Sequence, residues 1–367
     1  MTTTVPRPTT AEDPGADAVA ERVFAAFTGG LEALSVYTGD RLGWYRSLHE
    51  DGPATPAELA RRTGTHERYA REWLEQQAVL GLLHASGDGP SGRRYLLPAG
   101  AGEALTDADS LAYLAPLPRM LAAVGAKMPE LLDAYRHGGG VSWDDLGPDA
   151  RESQADLNRP WFLRALAGAL AGVGDVDAVL RRPGARVLDV GCGAGWSTVA
   201  LANAYPDAEL VGVDVDAPSV EMARQNAAAA GVGDRVRFRL ADGGALGGED
   251  GGYDAAFAFE CLHDMPRPVQ VLAAVREAVR PDGVVVVMDE AVAEEFTAPG
   301  DDIERFMYAV SLFICLPDGL SSTPSAGTGT VLRPATLRRY AQEAGFAGVD
   351  VLPIEDFGFF RFYRLRH

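Results

Sequence analysis

From Ala185 onward the chain alternates short apolar runs with helical stretches, and this alternation narrows the fold more than any other feature. The runs ARVLDVG, AELVGVDVD, RVRFRLAD, YDAAFAFE and GVVVVMDE read as strands, with helices expected from Ser197, Pro218 and Val269. Strands that are apolar on both sides and joined by helices build a parallel sheet covered on two faces. Val349 to Leu352 and Phe359 to Leu365 read as two further strands closing the chain as an antiparallel hairpin.

The first strand runs into Gly191-Cys-Gly193-Ala-Gly195, followed by a helix. Glycines at that turn let the backbone approach a ligand at the carboxyl end of the strand. The spacing is GxGxG, preceded by Asp189; Trp196 stands where a dinucleotide fingerprint needs glycine, and no GK[ST] follows. The second strand ends in Asp214, an acid placed to accept both hydroxyls of a ribose. The third ends in Asp242, also at the carboxyl edge.

The phrases VLDVGCGAGWS, VGVDVD and LADG, in that order, resemble the class I S-adenosylmethionine-dependent methyltransferases. The resemblance implies a Rossmann-like α/β domain with a mainly parallel, seven-stranded sheet, and S-adenosyl-L-methionine as cofactor. It implies that Asp214 holds the ribose and that Asp242, with Gly243 beside it, meets the adenine amino group. Gly191, Gly193 and Gly195 would pack on the methionyl part, and Asp189 would help hold that end through the loop. GDRLGWYRSL, THERYAREWLEQQ, FECLHDMPRPV and RFMYAVSLFICLPDGLS extend the resemblance to two-domain actinobacterial methyltransferases, from about residue 20 onward.

His263-Asp264 follows the strand that ends near Glu260, which puts His263 at the carboxyl edge of the sheet. A hydroxyl or amine grows acidic as it attacks a sulfonium carbon, so a base with pKa near 7 assists. CLHDM is similar to the CHDW element of plant-type O-methyltransferases, whose histidine is the base, with Met265 in place of the Trp. By that resemblance Glu290 at the end of the next strand orients His263. GTVLRP supplies no second orienting acid. His263 as base, as substrate-positioning residue and as structural cap all remain open at this point, since proximity alone drives many methyl transfers.

The insert 301–334 is long and apolar, in the manner of a lid. Phe306, Val310 and Phe313 repeat at helical spacing and read as packing, whereas Arg305 and Tyr308 fall elsewhere on such a helix and are expected to face a ligand, with Trp161 closing the other side. An aromatic-lined cleft suits a planar or apolar small molecule.

Ahead of this domain, Thr55-Pro56-Ala57-Glu58 is a capping box opening a helix that ends at Gly64. A second helix runs from Thr65 to about Leu80, and residues 84–97 read as a hairpin. Two short helices and a hairpin describe a winged helix-turn-helix. The expected organisation is a disordered tail over 1–16, a mainly helical winged-helix domain over 17–102, a helical linker and pocket wall over 103–180, and the cofactor domain over 181–367. In the related O-methyltransferases such a domain serves dimerisation and the substrate pocket, and the apolar stripe over 19–37 likewise asks for a two-fold partner, which predicts a homodimer.

The second winged-helix helix carries two arginines, Arg68 and Arg71, against three glutamates, Glu67, Glu72 and Glu75. A phosphate-binding face is strongly basic, and the whole chain carries a formal charge of −19, so nucleic acid is not the expected partner. Cys192, Cys261 and Cys315 lie far apart, and the histidines form no HxxxH or HxH pair, so no metal is expected. No apolar run approaches a membrane span and no leader is visible, which predicts a cytoplasmic location. The reading is therefore methyl transfer to a small acceptor, oxygen favoured, in secondary metabolism. A cofactor-bound cyclase or pericyclase that transfers no methyl group shares these motifs, and a DNA-binding regulator ranks third.

Overall fold

The computed structural model describes residues 15–89, 92–246 and 252–367. Most of the expected 1–16 tail and the tip of the 84–97 hairpin therefore lie outside the described residues. The chain divides into a unit that ends at Gly102 and a second from Glu103 to His367.

In the first unit, α1 (Ala16–Arg41), α2 (Trp44–Glu50), α3 (Pro56–Thr63) and α4 (Glu67–Val79) precede a hairpin of β1 (His84–Ser86) and β2 (Arg94–Leu96). The capping box forms: Thr55 N–H donates to Glu58 Oε2 at 2.9 Å and Glu58 N–H to Thr55 Oγ1 at 3.3 Å. Gly64 ends α3 in the left-handed conformation. An isolated bridge pairs Ala54 with Tyr95 of the wing. Trp44, Tyr45, Leu48, Leu59, Leu74 and Tyr95 are buried at the centre. On α4, Arg68 pairs with Glu72 and Arg71 with Glu67, so the helix that would read a groove has its positive charge neutralised.

Helix α5 (Ala99–Thr106) carries the chain across the boundary. The second unit opens with α6 (Leu117–Ala126), α7 (Met128–His137), α8 (Trp143–Trp161), α9 (Ala167–Ala171) and α10 (Gly174–Leu180). The doubly wound part follows: β3 (Arg186–Val190), α11 (Trp196–Ala204), β4 (Glu209–Asp214), α12 (Ala217–Ala229), β5 (Val236–Leu240), β6 (Tyr253–Phe259), α13 (Pro268–Ala278) and β7 (Val279–Glu290). The insert holds α14 (Asp302–Val310) and α15 (Leu316–Leu320), and α16 (Pro334–Glu343), β8 (Gly348–Val351) and β9 (Phe360–Arg366) close the chain.

Among the described residues these strands form a seven-stranded sheet in the order β5-β4-β3-β6-β7-β9-β8. Pairings from β5 to β7 are parallel, and β9 runs antiparallel to β7 and β8. Every residue of β6 is buried, because helices cover both faces. One core layer gathers Val187, Leu210 and Phe257 with Val199 and Val220; the other gathers Leu188, Val285 and Val287 with Leu272 and Leu337. Strand order reverses between β3 and β6, and a crevice opens there at the carboxyl ends of the strands.

The linker helices and the insert pack on each other. Leu131, Leu146 and Ala150 share a buried cluster with Ile314 and Cys315. Gly140 lies so close that an added Cβ would stand 1.8 Å from the Pro317 carbonyl oxygen, and Val141 N–H donates to that same oxygen at 3.1 Å. Each element also contains a π-helical turn, Phe162–Leu166 and Ser311–Cys315. Such turns recur at functional sites because they re-aim the side chains that follow.

Candidate functional site

A cavity of about 880 Å³ occupies the crevice, wholly within the second unit. Its sheet-side wall carries Gly191, Gly193, Asp214, Asp242, Gly243, Glu260, His263 and Glu290. Its apolar walls come from Leu117, Trp161 and Phe162 on the linker side, from Phe306, Met307 and Ile314 on the insert, and from Phe359 and Phe360 before and within β9.

At one end the loop after β3 is built for close approach. Gly191 has φ +68°, and a Cβ there would fall 2.7 Å from Cys261 Sγ. Gly195, at φ +76°, caps α11, and a Cβ there would strike Phe238 and Ala223 at 2.8 Å. Only glycine meets both demands. Asp214 is pinned to this loop: Oδ2 accepts Gly193 N–H at 2.8 Å and Oδ1 accepts Asp216 N–H at 2.8 Å. Burial raises its pKa against those hydrogen bonds. Asp242 accepts Gly244 N–H on Oδ1 and pairs with Arg267 through Oδ2 at 2.9 Å.

Asp189 does not line the cavity. Its carboxyl lies beneath the loop, 1% exposed, with Oδ2 accepting Ser197 Oγ–H at 2.6 Å and Thr198 Oγ1–H at 2.5 Å. Burial lifts its pKa to about 6. Asp189 instead ties the start of α11 to β3 and fixes the loop's shape.

His263, 2% exposed, forms the other end. Its Nδ1 lies 2.9 Å from Asp289 Oδ1 and 3.2 Å from Glu290 Oε2, and its Nε2 lies 3.3 Å from Asp264 Oδ1. The hydrogen-bonded acid is Asp289, one residue before the Glu290 expected from sequence, while Glu290 stands at ion-pair distance from the same nitrogen. Burial opposes a charged imidazolium, but the carboxylates of Asp264, Asp289 and Glu290 outweigh it and hold the His263 pKa well above the ordinary histidine value. Burial raises Glu290, whereas the charge and hydrogen bond of His263 keep Asp289 low against its own burial.

Between the two ends stands Glu260, directly after β6, with φ +52°. It is the non-glycine residue with positive φ among the described residues. Gln154 Nε2 donates to its Oε1 at 3.0 Å and Asn158 Nδ2 to its Oε2 at 2.7 Å. Burial pushes the carboxyl up to about 7 against those bonds and the charge of His263. On the same helix Arg151 donates to both Asp216 oxygens, at 2.7 and 2.8 Å, and so fixes α8 to the loop after β4. Asp318 of α15 accepts Trp143 N–H at 2.7 Å, and burial raises it to about 7.

The structure corrects two expected substrate residues. Arg305 points to solvent, its side chain 60% exposed and paired with Asp302 at 2.7 Å. Tyr308 packs edge-on to Phe296 and accepts a hydrogen bond from Arg333 Nη2 at 3.2 Å. The face of α14 that reaches the cavity is Phe306, Met307 and Val310. Periodicity had assigned Phe306 and Val310 to packing because it reports which residues share a face, not whether that face meets a core or a ligand. Trp161 does line the cavity, its ring 5.5 Å from that of Phe357. Gln154, Asn158 and Arg151 escaped sequence reading; only the i, i+4 spacing of the first two marks them as one face of a helix.

Among known proteins, the profile of the family described as "Methyltransferase domain" matches residues 181–311, and that of the "Rv2258c-like winged HTH domain" matches residues 30–107. The 27-O-demethylrifamycin SV methyltransferase of Amycolatopsis mediterranei is 36% identical over 163 residues, 44% of this chain and 54% of that protein. The chain thus spans about half the length of that relative. The O-methyltransferase cnsE of Penicillium expansum is 36% identical over 106 residues, 29% of this chain and 38% of that protein. The structure of the mitomycin 7-O-methyltransferase MmcR superposes with a TM-score of 0.70 at 22% identity, over 96% of this chain and 98% of that one. PigF with SAH superposes with a TM-score of 0.72 at 19% identity, over 97% and 100%. With the glycine loop, Asp214 and the reversed strand order in place, the chain carries a methyltransferase domain of the class I fold, preceded by a winged helix-turn-helix domain of the Rv2258c-like type.

Proposed function

We propose that this protein transfers the methyl group of S-adenosylmethionine to an oxygen of a small molecule. The observation that carries the reading is that one cavity joins the glycine loop and Asp214 to the buried His263. The residues suit the cofactor: left-handed Gly193 faces open space in the cavity with no side chain in the way, and Asp214 presents a loop-anchored carboxylate of the kind that receives a ribose diol. Gly191, Gly193, Asp214, Asp242 and Gly243 would hold it, with Gly195, which does not line the cavity, and Asp189 acting through the loop. The chemistry supplied at this site is a methyl group on a sulfonium, open to in-line displacement.

The chain's own contribution is to bind, align and accept a proton. Phe162, Phe306, Met307 and Phe360 enclose an apolar acceptor and exclude water. Asp289 holds Nδ1 of His263, and Nε2, at ion-pair distance from Asp264, takes the hydroxyl proton as the oxygen attacks. Asp289 and Glu290 then stabilise the imidazolium that forms.

The working unit in this reading is a homodimer in the cytoplasm. The dimer is supported by the outer face of α1, where Val23, Phe24 and Phe27 are each more than 60% exposed. The location is supported by three cysteines that are all free.

The reading is tested by comparing metabolites of a strain lacking the protein with its parent, followed by assay of the purified protein with methyl-labelled cofactor. Pairs differing by one CH2 group, with label entering the heavier member, are expected. Turnover of an acceptor without formation of S-adenosylhomocysteine would reject methyl transfer and favour the cyclase alternative.

A further inference from the structure

We infer that Glu260 is the carboxylate that binds the α-ammonium of the cofactor's amino-acid arm, with Gln154 and Asn158 of α8 as the residues that position it. This rests on the reading of the cavity as an S-adenosylmethionine site.

A left-handed backbone at a non-glycine residue persists only where its surroundings impose it, and such residues concentrate at ligand-binding positions. Here the restraints are visible. Glu260 N–H donates to the Met288 carbonyl at 2.8 Å, and two side-chain amides, one helical turn apart, hold one carboxylate oxygen each. Glu260 follows β6, the neighbour of the strand that leads into the glycine loop, and lines the crevice there.

Charge points the same way. Among the described residues no arginine or lysine pairs with Glu260. The two arginines lining the cavity are taken, Arg151 by Asp216 and Asp144, and Arg267 by Asp242. His263, the other cationic group, is held by Asp289 and Glu290. Gln154 and Asn158 are neutral donors, so they fix the geometry of the carboxylate without cancelling its charge. A half-buried carboxylate held only by neutral donors offers a place for a cation from outside the chain. An α-ammonium has the charge and the donors to fill that place. The competing acid near the loop, Asp189, is sealed beneath it by Ser197 and Thr198. Binding by Glu260 also draws α8 onto the ligand, because the helix that grips Glu260 is the one Arg151 ties to the loop beyond Asp214.

The test is a cycle of two proteins and two ligands, read by calorimetry on the full chain. The ligands are S-adenosylhomocysteine and its analogue lacking the α-amino group; the proteins are wild type and Glu260→Gln. Wild type is expected to bind S-adenosylhomocysteine about 10- to 100-fold more tightly than the analogue, the usual worth of a charge-assisted hydrogen bond. Glu260→Gln is expected to lose that preference and to bind the analogue as wild type does. Equal weakening of both ligands by Glu260→Gln, or no weakening of either, would overturn the assignment. The wild-type comparison stands alone if the variant fails to fold: equal affinity for the two ligands also overturns it. A wild type that binds neither ligand refutes the cofactor site itself. A wild type that binds both equally keeps that site and rejects only the role of Glu260.

Discussion

His263 Nδ1 and Asp289 Oδ1 stand 2.9 Å apart inside the protein, with His263 2% and Asp289 0% exposed. A buried carboxylate at that distance fixes the ring's orientation, with Nε2 turned to the Asp264 side. With Glu290 and Asp264 nearby, it also makes His263 a stronger base than a free imidazole.

That has a consequence for pH. Only the neutral ring accepts a proton, and its fraction grows as pH rises through a pKa held above 6.5. The methyl-transfer rate is therefore expected to climb at higher pH than for an ordinary histidine. Asp289→Asn removes one of the charges that hold the proton, so the limb should move to lower pH while the maximal rate falls. His263→Ala should abolish the limb and cut the rate by about 10²–10⁴-fold, with cofactor affinity nearly intact. A rate profile over pH for the three proteins checks this; equal losses at every pH would leave His263 a positioning role only.

Asp214→Ala should remove the proposed ribose contacts and also release Gly193 N–H and Asp216 N–H. Each charge-assisted bond is worth about 1.5–3 kcal/mol, so affinity for S-adenosylhomocysteine should drop by at least tenfold. Calorimetry that finds unchanged affinity would reject the ribose assignment.

The insert offers a contrast within one helix. Phe306→Ala should raise the KM for an acceptor, because Phe306 lines the cavity, while Arg305→Ala should leave it within about twofold. A surface ion pair such as Arg305–Asp302 contributes about 0–1 kcal/mol, so stability should barely change. Steady-state kinetics with any acceptor found in the metabolite comparison reads the difference.

A two-fold partner on α1 predicts light scattering at twice the chain mass of 38.9 kDa. Phe24→Asp together with Phe27→Asp should return the mass to that of one chain, since a charge buried in an apolar interface without a partner is strongly unfavourable. Wild type that scatters as a monomer at micromolar concentration would reject the dimer.

The alternating strands, the capping box at Thr55 and Glu58, the glycine loop and the acid ending β4 all lie in local patterns, so sequence alone located them. Periodicity, turn chemistry and short spacing act between near neighbours, and the physics that imposes them is local. The strand order, and with it the crevice between β3 and β6, agrees with the expectation that those motifs raised. Tertiary structure decided which carboxylate hydrogen-bonds His263. Asp289 and Glu290 are adjacent in sequence, and only the packing of β7 against the loop after β6 selects between them. It decided that Asp189 faces the core, because Ser197 and Thr198 fold back over it. It turned Arg305 and Tyr308 away from the cavity, because the opposite face of α14, with Phe306, Met307 and Val310, lines it. It also brought Gln154 and Asn158 to Glu260 from 106 and 102 residues away, a distance over which sequence spacing carries no information about contact.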